Sequence, residues 1–265
     1  MATTISVLGC GWLGMPLAKN LLSNYTVNGS TTTASKIPIL EAMGIASFLI
    51  DLPYTKAPDN LLTFLGNAEQ LVINIPPKLR NNGTENYVSK IESLLSYIAQ
   101  SNIKHVLFIS STSVYGDTNS IVTENTALEP TTESGKQLVA VEQLLQNNSA
   151  FLTTVVRFGG LIGKDRHPVY FLAGKQSIEN PEGPVNLIQQ DDCIAIILKI
   201  LATKAVWGAI YNAVAPFHPT RKAYYTQKAT ALHLDPPVFK ETASNGKIIS
   251  SAKLIHALHY TFSTI

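Results

Sequence analysis

Short apolar runs alternate with longer segments of helical spacing over the first two-thirds of the chain. Runs at residues 5–8, 47–50 and 70–75 are followed by Gly, Asp or Pro, as is typical of buried strands. Further strands are predicted at residues 26–31, 105–109, 152–158 and 209–212. Helices are predicted at residues 15–22, 37–43, 87–99, 137–145 and 191–201. Because strands alternate with helices, the pattern predicts an α/β fold, with helices on both faces of a parallel sheet.

The pattern changes after about Gly163. Residues 164–190 are rich in Pro and Gly and show little periodicity, and residues 224–265 mix helical and loop patterns. The sequence therefore predicts a Rossmann-type, doubly wound domain over residues 1–163, to which residues 191–215 return. Residues 164–190 and 216–265 are predicted to form a small mixed C-terminal lobe that binds substrate.

Composition excludes several classes of protein. The chain has 265 residues, of which 14% are charged, and a net charge of +2 without a basic run, which argues against disorder and against nucleic-acid binding. Two cysteines cannot form a disulfide framework and suggest a reducing compartment. The N-terminus lacks a basic segment, and no apolar run is long enough to span a bilayer. We expect a cytoplasmic protein that binds no membrane.

The first site candidate is the turn after the first strand, Gly9-Cys10-Gly11-Trp12-Leu13-Gly14. It fits the pattern G-x-G-x-x-G and lies between a predicted strand and a predicted helix, as a dinucleotide site requires. Gly9 permits the tight turn, Gly11 lets a pyrophosphate approach the backbone, and Gly14 allows close packing of helix on strand. The free N–H groups of the helix would then face the phosphates. The alternative is a glycine turn needed only for packing.

The second strand bears on the choice of cofactor. An NAD site usually has an acidic residue about 20 residues after the glycines, but no acid occurs between Gly14 and Glu41. Hydroxyl groups and an ammonium group occur instead and would accept a 2′-phosphate, so the sequence favours NADP and leaves NAD as the alternative. The residues concerned are Ser30, Thr31, Thr32 and Lys36. Lys36 could equally be a solvated lysine.

Residues that close other strands complete the predicted cofactor site. Asp51 ends the third strand, where it could contact adenine or cap a helix. Leu52 follows it, and Ile75, Pro76 and Pro77 end the fourth strand. We assign all five residues to the cofactor site, because ligands of α/β sheets bind at the carboxyl ends of the strands.

A second motif, Ser110-Ser-Thr-Ser-Val-Tyr-Gly116, also follows a strand. Together with the glycine turn it resembles the S-S-x-x-V-Y-G signature of extended short-chain dehydrogenase/reductases, the NAD-dependent epimerase/dehydratase superfamily. The later R-H-P, A-G-K and G-K-I-I wording is similar to that of the atypical, YeeZ-like NAD(P)-binding proteins. The resemblance covers nearly the whole chain.

The resemblance implies hydride transfer between a nicotinamide and a carbonyl or alcohol carbon. Family members use a Y-x-x-x-K pair with a Ser or Thr that polarises the substrate, and the lysine also holds the nicotinamide ribose. Ser111 matches the Ser/Thr, and Lys136 matches the lysine. Thr132 then stands in the position of the tyrosine, and a threonine hydroxyl is a poor general acid or base. By the same resemblance, Phe158 and Gly159 lie beside the nicotinamide.

Other residues would have to supply the proton or bind substrate. Tyr115, Tyr170 and His167 are candidates for proton transfer, although Tyr115 could be a cleft wall and His167 a loop residue or an anion contact. A basic cluster of Arg166, His167 and Lys175 could bind an anionic group or be a solvated loop. The predicted substrate site consists of Thr112, Ser113, Arg166, His167, Lys175 and Asn186.

These observations leave two functions open. The first is an NADP-dependent oxidoreductase, epimerase or dehydratase that acts on a small polar substrate, which could be anionic or a sugar nucleotide. The second is a non-catalytic NAD(P)-binding sensor or regulatory protein. No metal is expected, because His256 and His259 have no acidic or thiol neighbours in sequence. A homodimer is expected only by analogy with the family.

Overall fold

The computed structural model describes residues 3–53, 59–77, 79 and 86–265. Its strands are β1 (Thr4–Leu8), β2 (Thr26–Thr31), β3 (Ala46–Leu49), β4 (Gln70–Ile73), β5 (His105–Ser111), β6 (Ile121–Val122), β7 (Leu152–Phe158), β8 (Gly160–Ile162), β9 (Leu187–Gln189), β10 (Ile210–Ala213) and β11 (Ile248–Ile249). Its α-helices are α1 (Gly14–Leu21), α2 (Ile37–Ala42), α3 (Asp59–Gly66), α4 (Tyr87–Ala99), α5 (Glu133–Gln146), α6 (Val169–Leu172), α7 (Gln190–Ala202), α8 (Arg221–Ala231) and α9 (Ala252–Leu258).

Seven parallel strands form the central sheet, in the order β10-β7-β5-β4-β1-β2-β3. The chain builds outward from β1 to β3 and then crosses back to place β4 on the other side of β1. The order of the strands therefore reverses between β1 and β4, and such a point leaves a crevice at the carboxyl edge. This topology confirms the α/β, Rossmann-type fold predicted from the sequence.

Helices cover both faces of the sheet, which explains why its strands are apolar on both sides. All four residues of β4 are buried, as are all but the first residue of β1 and of β7. One face packs against α1, α7 and α9, and the other packs against α3, α4 and α5. The two resulting cores hold the strand ends in fixed positions around the crevice.

A third, smaller core lies in the C-terminal part of the chain. It joins Ile162, Val169 and Leu187 to Tyr224 and Tyr225 of α8. The last helix does not belong to this core: Leu254 and Leu258 of α9 pack in the core of the central sheet. This placement corrects the assignment of the whole segment 216–265 to the lobe, because the apolar stripe of α9 is buried on the sheet.

No helix in the described part of the chain is long and apolar enough to cross a membrane.

Candidate functional site

A cavity of about 820 Å³ opens at the carboxyl edge of the sheet, where the strand order reverses. The glycine turn, the ends of β2 to β5, one face of α5 and the loop after β8 form its wall. The predicted residues on this wall are Gly9, Gly11, Trp12, Leu13, Ser30, Thr31, Thr32, Lys36, Asp51, Leu52, Ile75, Pro76, Pro77, Ser111, Ser113 and Arg166. The structure thus brings together most of the predicted cofactor site, and contact of these residues with a cofactor stays a prediction.

The glycine turn, residues 9–14, is fixed by its neighbours. Gly9 has a φ of 103°, which favours glycine, and its N–H donates to Ser30 Oγ at 2.9 Å. The amide of Asn74 at the end of β4 donates to the Gly9 carbonyl at 3.0 Å. A Cβ on Gly14 would lie 2.1 Å from the Gly9 oxygen. Gly14 therefore allows α1 to begin directly against the turn.

Gly11 differs from the other two glycines, because it faces open space. A Cβ added at Gly11 would meet no atom of the described structure within 4 Å. Helix α1 starts just beyond it, without a side-chain cap and without an acidic residue in its first turn. The N–H groups and the positive end of the helix dipole are thus suited to an anion.

The end of β2 presents hydroxyl groups and an ammonium group to the same cavity. Ser30 and Thr31 are almost completely buried, and Lys36 is half-buried. Cys10 of the turn donates its backbone N–H to the Ser30 carbonyl at 2.7 Å. Burial raises the pKa of its thiol to about 12, against the opposing effects of Ser30 and Lys36. Cys10 is therefore a neutral, packed thiol at pH 7.

Among the described residues of the cavity wall, positive side chains outnumber acidic ones. Lys36, Lys90 and Arg166 lie on the wall, and Asp51 is the acidic residue among the described residues that line it. Cations that converge on a concave site attract anionic ligands and raise their local concentration. The cavity is thus electrostatically suited to a phosphate-bearing ligand.

Two serines at the end of β5 have different tasks. Ser111 accepts a hydrogen bond from the Ser113 N–H at 3.2 Å and lies on the cavity wall. Ser110 also reaches the wall, but its hydroxyl donates to Glu142 Oε1 at 2.5 Å. Glu142 in turn pairs with Arg157, and both are at least 98% buried. The cavity floor therefore rests on a buried ion pair that the sequence did not reveal.

The structure corrects the expected place of Tyr115 in the cleft. Its side chain is 1% exposed, donates to Asn212 Oδ1 at 2.8 Å and accepts from Arg157 Nη1 at 2.6 Å. Burial raises the pKa of the phenol, against the opposing effect of Arg157. Tyr115 is part of the core and does not reach the cavity.

The structure also corrects the register of the expected catalytic pair on α5. Thr132 caps the helix by accepting from the Gly135 N–H at 3.1 Å, and Lys136 is exposed and off the cavity wall. The residues of α5 that reach the wall are Ser134 and Leu138. They are four positions apart, which is the spacing of Y-x-x-x-K and places both on one face of the helix. Neither the tyrosine nor the lysine occurs in this register.

Of the predicted substrate residues, His167 is used for packing. It is 7% exposed, its Nδ1 accepts from the Val169 N–H at 3.0 Å, and its Nε2 lies 3.0 Å from the Tyr224 hydroxyl. Burial lowers the pKa of His167 to about 4, so the imidazole is neutral at pH 7. His167 lies off the cavity wall with both ring nitrogens engaged, which corrects its expected place in the substrate site. Tyr170 is 50% exposed and lies off the wall.

Other predicted residues are also turned away from the cavity. Asn186 donates to the Lys247 carbonyl at 2.7 Å and accepts from the Ile249 N–H at 3.0 Å, so its amide holds β11 in place. Lys175 is exposed and off the wall, and Thr112 is buried. Only Ser113 and Arg166 of the predicted substrate set reach the wall.

Neither residue expected beside the nicotinamide lines the cavity. Phe158 is 2% exposed within the core of the sheet. The N–H of Gly159 is bonded to the Ala213 carbonyl at 3.1 Å. Leu161 lies on the cavity wall instead.

Sequence reasoning missed several wall residues. Asn74 had a signal, because it is a polar residue directly after a buried strand. Ser134 and Leu138 lie two positions further along α5 than the predicted pair Thr132 and Lys136. Lys90 had no such signal, because no local sequence pattern shows that this face of α4 lies toward the cavity.

The fold and the cavity together define a dinucleotide-binding type of α/β protein, with a glycine turn at the point where the strand order reverses. Residues 7–171 match the NAD dependent epimerase/dehydratase family, and the chain belongs to this family. It is 36% identical to protein YeeZ of Escherichia coli strain K12 over 263 residues, 97% of this chain and 95% of that protein. These findings confirm the resemblance noted in the sequence.

Solved structures of low sequence identity share the fold. The structure of MoeE5 in complex with UDP-glucuronic acid and NAD superposes with a TM-score of 0.82 at 16% identity, covering 99% of this chain and 94% of that one. UDP-glucuronic acid 4-epimerase from Bacillus cereus, in complex with NAD, gives a TM-score of 0.81 at 18% identity, covering 99% and 92%. A functionally unknown conserved protein from Silicibacter pomeroyi gives 0.79 at 20% identity, covering 99% and 94%.

Proposed function

We propose that this protein binds NADP(H) in the cavity at the carboxyl edge and acts on a small polar, anionic or sugar-nucleotide substrate. A bound nicotinamide would supply hydride exchange. The chain would hold the diphosphate at the glycine turn and α1, and the 2′-phosphate at Ser30, Thr31 and Lys36. Ser111 would polarise the substrate oxygen.

The open space at Gly11 carries this proposal. It lies in front of an uncapped helix start, and three of the described residues on the cavity wall are cations, so the residues fit a diphosphate. An end of β2 with hydroxyls and without a carboxylate supports NADP, because a carboxylate there would repel the 2′-phosphate. MoeE5 and the Bacillus cereus epimerase, which share the fold, have NAD bound, and this supports a nicotinamide dinucleotide as the type of ligand. The UDP-sugar of MoeE5 supports the class of substrate.

Titration calorimetry with NADPH and NADH tests the cofactor. We expect NADPH to bind at least about tenfold more tightly, and Lys36→Gln to remove most of that difference, because a charge-assisted bond to phosphate contributes about 1.5–3 kcal/mol. Lys19→Gln is the control, since Lys19 is exposed on α1 and lies off the cavity wall. Equal affinities for the two cofactors would contradict the NADP assignment.

The register of α5 favours a second function, a non-catalytic NADP(H)-binding protein. Ser134 and Leu138 occupy the cavity-facing positions with the spacing of the family's tyrosine and lysine. A serine hydroxyl is a poor general acid or base, and leucine has no proton to transfer. Turnover of a panel of carbonyl compounds and sugar nucleotides separates the two functions. Reduction or epimerisation of any of them would contradict the non-catalytic one.

Paired substitutions on α5 test its orientation. We expect Lys136→Ala to change the dissociation constant for NADPH by less than about twofold, because Lys136 is exposed and off the wall. Ser134→Phe is expected to weaken binding by about tenfold or more, because the ring would project into the cavity. Both constants are measured by calorimetry, and thermal unfolding confirms that each variant is folded. If only Lys136→Ala weakened NADPH binding, the register with Thr132 and Lys136 facing the cavity would be supported instead.

A further inference from the structure

Trp12 connects the glycine turn to the loop that follows β8. Its indole N–H donates to Asp165 Oδ1 at 2.9 Å, and its carbonyl accepts from the Gln190 side chain at 2.7 Å. A Cβ on Gly163 would lie 2.8 Å from the indole ring. The loop after β8, residues 163–166, therefore packs directly on the glycine turn.

Arg166 is the last residue of this loop. Its guanidinium carbon lies 4.9 Å from the centroid of the Trp12 ring, and its side chain lies on the cavity wall. Two reciprocal backbone bonds close the loop, from Gly163 N to Arg166 O at 2.8 Å and from Arg166 N to Gly163 O at 3.2 Å. Stacking on the indole and the closed loop hold the guanidinium beside the turn.

Resting on the proposed function, we propose that Arg166 is a clamp for the diphosphate of the dinucleotide, supplied by the C-terminal part of the chain. The diphosphate belongs at the N-terminus of α1, and Trp12 lies two residues before that helix. A guanidinium binds phosphate oxygens with two parallel N–H bonds and keeps its charge at all relevant pH values. Arg166 therefore determines cofactor affinity, whereas the sequence had pointed to the substrate.

Calorimetry of three proteins with two ligands tests this clamp. The proteins are the wild-type chain, Arg166→Gln and Lys164→Gln, which removes the same charge from an exposed neighbour off the wall. The ligands are NADPH and adenosine 2′-monophosphate, which lacks the diphosphate. We expect Arg166→Gln to weaken NADPH binding by about tenfold or more and to change binding of adenosine 2′-monophosphate by less than about twofold. Lys164→Gln should change neither.

Two further variants test the stacking. Trp12→Leu should reproduce most of the loss seen in Arg166→Gln, because it removes the aromatic face under the guanidinium. Trp12→Phe keeps an aromatic face and should lose less NADPH affinity than Trp12→Leu. Equal affinities of Trp12→Leu and the wild-type chain for NADPH would contradict the role of the indole.

Each remaining outcome decides between the clamp and the proposed function. Unchanged NADPH affinity in Arg166→Gln, or an equal loss for both ligands, overturns the clamp and leaves the proposed function standing. Inorganic pyrophosphate is a further calorimetric ligand for the wild-type chain and Arg166→Gln. A wild-type chain that binds pyrophosphate through Arg166 but binds no dinucleotide overturns the proposed function and leaves the anion site. A wild-type chain that binds none of these ligands overturns both.

Discussion

Gly14→Ala is expected to abolish dinucleotide binding and to destabilise the fold by about 3 kcal/mol or more. The new methyl group would lie 2.1 Å from the Gly9 carbonyl oxygen and 2.8 Å from the amide nitrogen of Asn74. Both neighbours belong to the turn itself or hold it, so α1 would have to move away from β1. Calorimetry with NADPH and chemical unfolding in urea measure the two effects.

Gly11→Ala is the matched control for this variant. Its methyl group would enter open space, so we expect the stability to stay within about 1 kcal/mol of the wild-type value, the usual helix and loop cost. Binding of NADPH should nevertheless weaken, because the methyl group would stand where the diphosphate approaches the backbone. Undiminished stability of Gly14→Ala would show that the packing of α1 on the turn is looser than the geometry indicates.

Removal of one partner of the buried ion pair is expected to destabilise the protein by about 3–5 kcal/mol. Arg157 donates to both carboxylate oxygens of Glu142, at distances of 2.5 to 3.2 Å, and the pair is almost completely buried. Either Arg157→Met or Glu142→Gln would leave the other group buried without its counter-charge. Urea unfolding at pH 7 measures the loss.

A double-mutant cycle shows whether the loss comes from the pair itself. The double variant Arg157→Met, Glu142→Gln should lose clearly less free energy of unfolding than the two single variants lose in sum, because no charge is then left unpaired. Glu133→Gln is the control, since it removes the same charge from an exposed position of the same helix. Additive losses in the cycle would mean that the two side chains stabilise the fold independently.

Local sequence patterns were sufficient to predict the backbone segments that form the site. The glycine turn and the carboxyl ends of β2, β3 and β4 were predicted, and the structure brings them to one cavity. They could be predicted because each depends on a short segment: an apolar run fixes where a strand ends, and parallel strands end at one edge.

The side chains that face the cavity from elsewhere could not be predicted in the same way. Tyr115 follows the cavity-forming serines by only a few residues, yet its hydroxyl is bound by Asn212 and Arg157 in the core. Asn186 holds β11, and His167 packs on Tyr224. In each case the competing partner is distant in the sequence, so no local pattern records it.

By itself, the sequence determined the doubly wound sheet, the glycine turn and the hydroxyl-rich end of β2, because these depend on periodicity and on residue types within a few positions. Only the tertiary structure decided that Ser134 and Leu138 face the cavity and that Arg166 reaches the glycine turn. The physical reason is that tertiary packing determines both the rotation of a helix about its axis and the position at which a loop contacts the rest of the protein. Leu138, Val141 and Leu145 fix α5 against the sheet, and Trp12 fixes the loop that carries Arg166.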